Sequence, residues 1–157
     1  MKSRTTHTTL KVGLASDHGG FELKEWLKEQ LTASSAEVID FGNSIYDSDD
    51  DYPDFIIPLA EAVATGQIDR GIALCGSGVG ASLAASAVPG IRAAVIHDFY
   101  SAWQGVEDDN LNILCMGGQI IGKETALENV LAFLNASFKN TERYINRLRK
   151  IESYTGR

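Results

Sequence analysis

The segment 71–82 reads GIALCGSGVGAS, an apolar run that passes through a glycine-rich loop into alanine-rich sequence. The apolar run predicts a buried strand, and the alanine-rich part predicts a helix. Glycines at such a turn leave backbone N–H groups pointing beyond the strand end, next to the positive end of the helix dipole. The segment therefore predicts an anion-binding cradle at the end of a strand.

Cys75 occupies the last position of this predicted strand. An electropositive helix end lowers the pKa of a thiol and makes thiolate available near neutral pH, so Cys75 is a candidate base or nucleophile. The alternative is a buried structural thiol, but the position before the glycine loop favours a functional role. Cys115 also ends an apolar run, but Met116 separates it from the next glycines. We interpret Cys115 as structural.

Composition limits the classes of function. The net charge of −7 argues against nucleic-acid binding. No apolar run approaches the ~20 residues needed to span a bilayer. Two cysteines do not make a disulfide framework and fit a reducing cytoplasm. Residues 1–9 are polar and lack the apolar core of a signal peptide, so we interpret them as a disordered leader before a single domain at 10–157.

Strands and helices alternate along the chain. The predicted strands are 10–16, 37–41, 71–75, 91–96 and 112–116. The predicted helices are 21–31, 53–65, 79–86, 99–106, 123–138 and a basic helix opening at 141–142. The strands are short and almost wholly apolar, which predicts an α/β fold with a parallel sheet covered on both faces.

Ligands of such sheets bind beyond the carboxyl ends of the strands. The loops expected at that edge are 16–20, 75–80, 97–98 and 117–118. In the loop 16–20, the carboxylate of Asp17 stands next to the imidazole of His18, a pair that suits acid–base chemistry. An exposed polar turn is an equal alternative for this loop. His97 and Asp98 form a similar pair, but we favour Asp98 as a helix N-cap.

Other polar residues leave alternatives open. Ser77 is a turn residue or a hydroxyl that relays protons. The acidic loop 47–54 lacks the glycine and the closing glutamate of an EF-hand, so we interpret it as mostly solvated, with no metal site. Arg143 and Arg147 lie one helical turn apart. They form either a solvated basic face or a pair of guanidiniums suited to a phosphate.

A competing motif overlaps the glycine loop. Residues 76–81, GSGVGA, match the dinucleotide fingerprint, and Asp98 follows about 20 residues later. This predicts a nucleotide-dependent oxidoreductase as an alternative function. The match is short, however, and two strand–helix units already precede it.

Taken in order, several motifs resemble the ribose-5-phosphate isomerase B / galactose-6-phosphate isomerase family. They are SDHGG at 16–20, DYP at 51–53, CGSGVG at 75–80, GIRAA at 90–94, NIL at 112–114 with GG at 117–118, and the arginines at 143 and 147. The resemblance covers about residues 10–150. It implies a three-layer α/β/α Rossmann-like fold with a five-stranded parallel sheet. It also implies a cytoplasmic homodimer, or a dimer of dimers, with the C-terminal helix packed on the partner and active sites between subunits.

The resemblance also implies metal-free, cofactor-free isomerisation of a phosphosugar through a cis-enediolate. Cys75 would move the proton between C2 and C1, and Ser77 would assist proton transfer between O1 and O2. The residues implied to stabilise the enediolate oxygen through their backbone are Gly76, Gly78, Val79 and Gly80. The residues implied to line the sugar, open its ring or grip the phosphate are Asp17, His18, Tyr52, Asp109, Arg143 and Arg147.

Two departures from the family pattern bear on the substrate. Asp108-Asp109 stands where members commonly carry His-Asn or His-Asp, and that histidine is assigned to ring opening. We therefore expect His18 to open the ring, or the substrate to be largely open-chain. Gln119 stands where many members carry a phosphate-binding arginine. This loss loosens phosphate binding or indicates another substrate, such as a tetrose phosphate.

The first substrate pair expected from the resemblance is ribose 5-phosphate and ribulose 5-phosphate, in the pentose phosphate pathway. Aldose phosphates of four to six carbons are the next candidates. The alternative from another functional class is a non-catalytic phosphosugar-binding protein.

Overall fold

The computed structural model describes residues 9–34 and 36–156, so most of the predicted leader, residues 1–8, lies outside the described part. The strands are β1 (Lys11–Ser16), β2 (Glu37–Asp40), β3 (Arg70–Cys75), β4 (Ala93–Val95) and β5 (Ile113–Gly117). All neighbouring strands pair in parallel, in the order β2-β1-β3-β5-β4. This confirms the predicted five-stranded parallel sheet.

Six α-helices lie in the described part of the chain, and the first five of them cover the two faces of the sheet. They are α1 (Phe21–Ala33), α2 (Pro53–Ala64), α3 (Val79–Ser86), α4 (Phe99–Asp109), α5 (Lys123–Asn135) and α6 (Glu142–Thr155). A 3-10 turn at His18–Gly20 joins β1 to α1. Within the described residues, no helix combines the length and the apolar character needed to cross a membrane.

Alternate side chains of each strand enter two separate cores. Leu14, Ile72 and Leu114 pack in the core that includes residues of α1, α4 and α5. Ala73 and Cys75 face the core that includes residues of α2 and α3. Successive side chains of a β-strand point to opposite faces of the sheet, which explains this alternation. It places the thiol of Cys75 on the α2/α3 side of the sheet, at its carboxyl edge.

Two of the element boundaries that differ from the predicted ones do so for reasons of hydrogen bonding. The ladder of β4 starts at Ala93 rather than at residue 91, and Arg92 N donates instead to the side-chain Oδ1 of Asn112 (2.8 Å). Helix α5 ends at Asn135 rather than at residue 138, because Ala136 is extended. The carbonyl oxygens at that end accept hydrogen bonds from the Arg70 guanidinium.

Arg70 ties the end of α5 to the first residue of β3. Its Nη2 donates to the carbonyl of Ala136 (2.7 Å), and its Nη1 donates to the carbonyl of Phe133. The guanidinium also lies 5.3 Å from the centroid of the Phe133 ring. Carbonyls at a helix end lack intrahelical partners, so Arg70 satisfies two groups that would otherwise be unpaired.

We expect Arg70→Met to destabilise the fold, because it leaves these two carbonyls without a donor, at a cost of about 1–3 kcal/mol. Urea unfolding followed by circular dichroism measures the change. Arg149→Met is the matched control, since the Arg149 side chain is 64% exposed. Equal unfolding midpoints for the two variants would contradict the anchoring role of Arg70.

Candidate active site

Three loops at the carboxyl edge touch each other through their backbones. A Cβ at Gly19 would lie 2.6 Å from Gly76 N, and a Cβ at Gly117 would lie 2.6 Å from the Cα of Ser77. At Gly118, a Cβ would lie 2.5 Å from the carbonyl oxygen of Gly19. Real Cβ atoms essentially never approach other atoms within 3.0 Å. Only glycine therefore lets the loops after β1, β3 and β5 converge this closely.

Backbone hydrogen bonds fasten the loop after β5 to the loop after β3. Gly118 N donates to the carbonyl of Cys75 (2.8 Å), and Gln119 N donates to the carbonyl of Gly76 (3.0 Å). The backbone at Cys75 and Gly76 is thus held in place by hydrogen bonds from the loop after β5.

Cys75 lies at the end of β3 with its residue 4% exposed. Its Sγ accepts a hydrogen bond from the backbone N–H of Gly78 at 3.1 Å. Gly78 has φ +84°, a left-handed conformation that glycine adopts without steric cost, and this turn aims its N–H at the sulfur. An N–H donor directed at sulfur is suited to supporting negative charge there.

Some backbone N–H groups of the glycine loop find hydrogen-bond acceptors within the loop itself. Val79 N lies 3.3 Å from Ser77 Oγ, a long hydrogen bond. Together with the Gly78 contact, this means that two amides of the predicted cradle already face groups of the same loop.

Gly80 has a different role in packing, because a Cβ there would lie 2.7 Å from the ring of Tyr52. Tyr52 therefore lies against the first turn of α3.

Cys115 is fully buried in the neighbouring strand. Burial raises the pKa of its thiol far above the ordinary value, with a smaller contribution from Cys75. This matches its predicted structural role.

His18 and Asp17 follow β1, beside the glycine loop. The Oδ1 atom of Asp17 accepts the N–H of Gly19 (2.9 Å), and burial raises the pKa of this carboxyl. His18 Nδ1 lies 2.7 Å from Asp50 Oδ1, and this hydrogen bond is the main cause of a raised pKa of His18. The imidazole is 38% exposed.

Asp50 is the residue of this site that the sequence analysis missed. We interpreted the acidic loop as mostly solvated, and residues 44–49 are indeed exposed. The Asp50 side chain is only 7% exposed, however, and it lies against the loop after β1. The available signal was topological: β2 lies next to β1, which brings the loop after β2 alongside His18.

A polar cavity of about 200 Å³ opens at this junction. It is lined by His18, Gly19, Glu22, Leu23, Tyr46, Gly118 and Gln119. Gln119 also reaches Gly76, since its Cγ lies 3.9 Å from the position of a Cβ there. The cavity thus adjoins the residue that follows Cys75.

Asp17, His18 and Asp50 form the group of described side chains best placed to hold a metal ion, with ligand atoms within 4.8 Å of one another. Two of those atoms, His18 Nδ1 and Asp50 Oδ1, already bond to each other. We therefore assign the three side chains to a hydrogen-bond network. The expectation that the site uses no metal stays a prediction.

His97 and Asp98 have structural partners. Nε2 of His97 accepts the N–H of Gly117 (2.9 Å). The carboxylate of Asp98 accepts the N–H of Ser101 (2.7 Å), which confirms the predicted N-cap. Since this carboxylate caps α4, it is not available as the ribose-binding acid of a dinucleotide site.

The structure does not bring Asp109, Arg143 and Arg147 to Cys75. Asp109 ends α4 at the amino edge of the sheet, where the next carbonyl, that of Asn110, accepts Arg92 Nε (2.6 Å). Strand β3 separates the two edges by roughly 17 Å at ~3.3 Å per residue. Both arginines lie on α6, next to the end of α4, and both are exposed.

Asp108 is held by an ion pair. Its carboxylate accepts Lys139 Nζ (2.8 Å) and Gln104 Nε2 (2.9 Å), and the Lys139 bond is the main cause of its lowered pKa. Lys139 also contacts Glu107 (3.1 Å). Asp108 is thus committed to a charged, hydrogen-bonded state, unlike the histidine expected at this position.

Comparison with known proteins gives a consistent result. The family model for Ribose/Galactose Isomerase matches residues 12–151. A putative sugar phosphate isomerase of Bacillus subtilis, YwlF, is 41% identical over 145 residues, covering 92% of this chain and 97% of the relative. D-erythrulose-4-phosphate isomerase 2 of Mycolicibacterium smegmatis is 36% identical, covering 94% and 98%. The solved structure of Clostridium thermocellum ribose-5-phosphate isomerase B is 43% identical, with a TM-score of 0.89 and coverage of 94% and 98%.

We expect Gly117→Ala to disturb the site, because its Cβ would meet the backbone of Ser77, which cannot rotate away as a side chain can. Stability should fall by about 1–3 kcal/mol, and the rate at which a disulfide reagent modifies Cys75 should change. Gly122→Ala is the control, since a Cβ there meets no described atom within 4 Å and its φ is −74°. Equal stability and equal reactivity of the two variants would contradict a close contact at Gly117.

Proposed function

This chain belongs to the ribose/galactose isomerase family, and we propose from that membership that it interconverts ribose 5-phosphate and ribulose 5-phosphate. The observation that carries the proposal is the Sγ of Cys75, which accepts the Gly78 N–H at the end of β3, the strand next to the one that His18 follows. A thiolate supported in this way is suited to take a proton from carbon, and a histidine is suited to give one to oxygen.

In the aldose-to-ketose direction, Cys75 Sγ takes the proton from C2. The electron pair of that C–H bond forms the C1–C2 double bond, and the carbonyl oxygen on C1 becomes an enediolate oxygen. Ser77 Oγ assists transfer of the proton from O2 to O1. The thiol then returns its proton to C1, which leaves the ketone at C2.

Backbone amides of the glycine loop stabilise the oxyanion of this intermediate, typically by ~3 kcal/mol per donor. The amides of Gly78 and Val79 face Sγ of Cys75 and Oγ of Ser77. They support the base and the hydroxyl that handle the protons. The amides of Gly76 and Gly80 are the donors that we assign to the substrate oxygen.

We further propose that the chain acts as a homodimer with sites between subunits. Candidate residues lie at both edges of one chain, and a second subunit is the simplest means of uniting them. An apolar surface next to the edge strand β4 suits such a contact: Val79, Leu83, Val95, Phe99 and Tyr100 are exposed there. In the dimer, Asp109, Arg143 and Arg147 of one subunit bind the sugar phosphate above Cys75 of the other, with α6 packed on the partner. Pairs of dimers are the larger assembly that we consider.

The two cysteines are unpaired and buried, which favours a cytoplasmic location. We include that location, and a role in pentose phosphate metabolism, in the proposal.

A tetrose phosphate is the second candidate substrate. Asp108 is locked in an ion pair with Lys139 and cannot take the part of a ring-opening histidine. A four-carbon sugar phosphate does not form the usual six-membered ring, so its isomerisation depends less on a residue that opens the ring. The M. smegmatis relative is named for a substrate of this class.

We expect the protein to exchange the C2 proton of an aldose phosphate with D₂O, and Cys75→Ala to lower this exchange by about 10²–10⁴-fold. Proton NMR across a panel of four- to six-carbon aldose phosphates measures the rate and identifies the sugar. Cys115→Ala removes the neighbouring buried thiol and should retain exchange. If the parent protein binds the sugars without exchange, it is a phosphosugar-binding protein instead. Unchanged exchange in Cys75→Ala would exclude that thiol as the base.

The shared site predicts complementation between inactive chains. Cys75→Ala and the double variant Arg143→Ala/Arg147→Ala should each be inactive, yet mixed equally and refolded together they should recover activity. Random pairing leaves about a quarter of all sites intact in a two-fold dimer. The rate per chain after mixing, against each variant refolded alone, measures this recovery. A mixture as inactive as its components would show that both groups act within one chain.

A further inference from the structure

Asp50 holds His18 through two hydrogen bonds to one carboxylate oxygen. The backbone N–H of His18 donates to Asp50 Oδ1 at 2.9 Å, and Nδ1 of its ring lies 2.7 Å from the same atom. The carboxylate is 7% exposed, whereas the imidazole is 38% exposed. Asp50 thus lies behind the ring, and the ring lies between Asp50 and solvent.

Asn43 fixes the other carboxylate oxygen. Its Nδ2 donates to Asp50 Oδ2 at 2.8 Å. Asn43 is itself attached to the end of β1, since its N–H donates to the carbonyl of Ser16 (2.8 Å). Ser16 N in turn donates to the carbonyl of Gly42 (2.8 Å). Both oxygens of Asp50 therefore have donors, and the carboxylate cannot rotate without losing one.

Hydrogen bonding with Asp50 determines which nitrogen of the His18 ring is left for a ligand. Because Asp50 accepts from Nδ1, that nitrogen carries a proton, and Nε2 is the nitrogen left for a ligand. In the part of the chain that the structure describes, Nε2 has no hydrogen-bond partner. His18 lines the cavity of about 200 Å³ together with Gly118 and Gln119, next to Gly76.

The charges around the imidazole favour its protonated form. The hydrogen bond with Asp50 raises the pKa of His18, and the charge of Asp17 adds to the effect. Burial alone would raise the pKa of Asp50, but hydrogen bonds from Asn43 and His18 outweigh burial and lower it. Glu22 of α1 lines the same cavity, and the Tyr46 ring is nearly perpendicular to the imidazole, with 6.4 Å between the ring centroids.

We propose that Asp50, braced by Asn43, is a positioning residue that holds His18 with Nε2 in the cavity as the proton donor for opening a cyclic sugar. This rests on the proposed function. In the step, the proton on Nε2 passes to the ring oxygen as the bond from C1 to that oxygen breaks. The C1 hydroxyl loses its proton to water and becomes the aldehyde. Asp50 touches neither the sugar nor the reacting atoms.

The arrangement suits a chain in which Asp108 is committed to Lys139. Ring opening then depends on a residue of the carboxyl edge. Among the described histidines, His18 lines the cavity, whereas Nε2 of His97 accepts the N–H of Gly117.

The test compares Asp50→Asn with Asp49→Asn, which removes an exposed charge from the adjacent position of the same loop. NMR titration of the His18 ring is the first readout. We expect Asp50→Asn to move its pKa down toward about 6.5, the ordinary value, and Asp49→Asn to leave it in place. This readout needs no substrate, so it tests the interaction of Asp50 with His18 even if the proposed function fails.

Substrate form gives the second readout. We expect Asp50→Asn to slow turnover of cyclic ribose 5-phosphate by at least about tenfold, and to leave C–H exchange in an open-chain tetrose phosphate within about twofold. Asn43→Ala, which keeps the charge of Asp50 but removes its brace, should slow the cyclic substrate by a smaller factor.

The pH dependence of stability supplies a third readout with a definite sign. Because His18 has a raised pKa in the folded chain, its pairing with Asp50 stabilises the fold below the ordinary pKa of histidine. This stabilisation is lost as pH rises through the raised value. Asp50→Asn should therefore cost more stability at about pH 6 than at about pH 9.

Three results would overturn the proposal. One is a His18 titration in Asp50→Asn that is the same as in Asp49→Asn. Another is an equal loss of rate on cyclic and open-chain substrates, which would mean a general effect on the site. A third is wild-type turnover of ribose 5-phosphate by Asp50→Asn. If the parent chain isomerises no sugar phosphate, the proposed function and the ring-opening role fall together, whatever the titration shows.

Discussion

The backbone contact among Gly19, Gly76 and Gly117 is the constraint on which the candidate site depends. The three central strands end side by side, and their loops approach within distances that exclude any Cβ. Closeness of this kind brings the backbone of Gly76, the residue after Cys75, against the loop that carries His18. Glycine loses more conformational freedom on folding than other residues, and the apolar packing on both faces of the sheet offsets that cost.

Polar groups around β2 form a series of hydrogen bonds that leads to His18. Lys24 is fully buried and donates to both oxygens of Asp40, and Asp40 accepts the N–H of Gly42. Gly42 precedes Asn43, which braces Asp50. Buried charges are costly unless they are paired and hydrogen-bonded, and each of these groups has its partners. A structural ion pair between α1 and β2 is therefore continuous with the hydrogen bonds behind the imidazole.

Sequence patterns predicted the features that are set locally or by period. Alternating apolar strands and helices gave the parallel sheet, and the position of Asp98 before α4 gave its cap. Asp50 was missed because its contact with His18 joins residues 32 positions apart, and depends on β2 lying next to β1. The end of α5 was misplaced for a similar reason, since a guanidinium from β3 supplies its last donors. Contacts between distant loops leave no periodic signal in the sequence.

Helix α6 has an unusual position in this fold. None of its described residues, Glu142–Thr155, is buried, and a helix of about that length is marginal in water without packing. Ile151 and Tyr154 stand exposed on it. Amide hydrogen exchange along α6 should therefore follow the state of association. Fast exchange would mark dissociated chains, and slow exchange would mark chains in which another surface covers the helix.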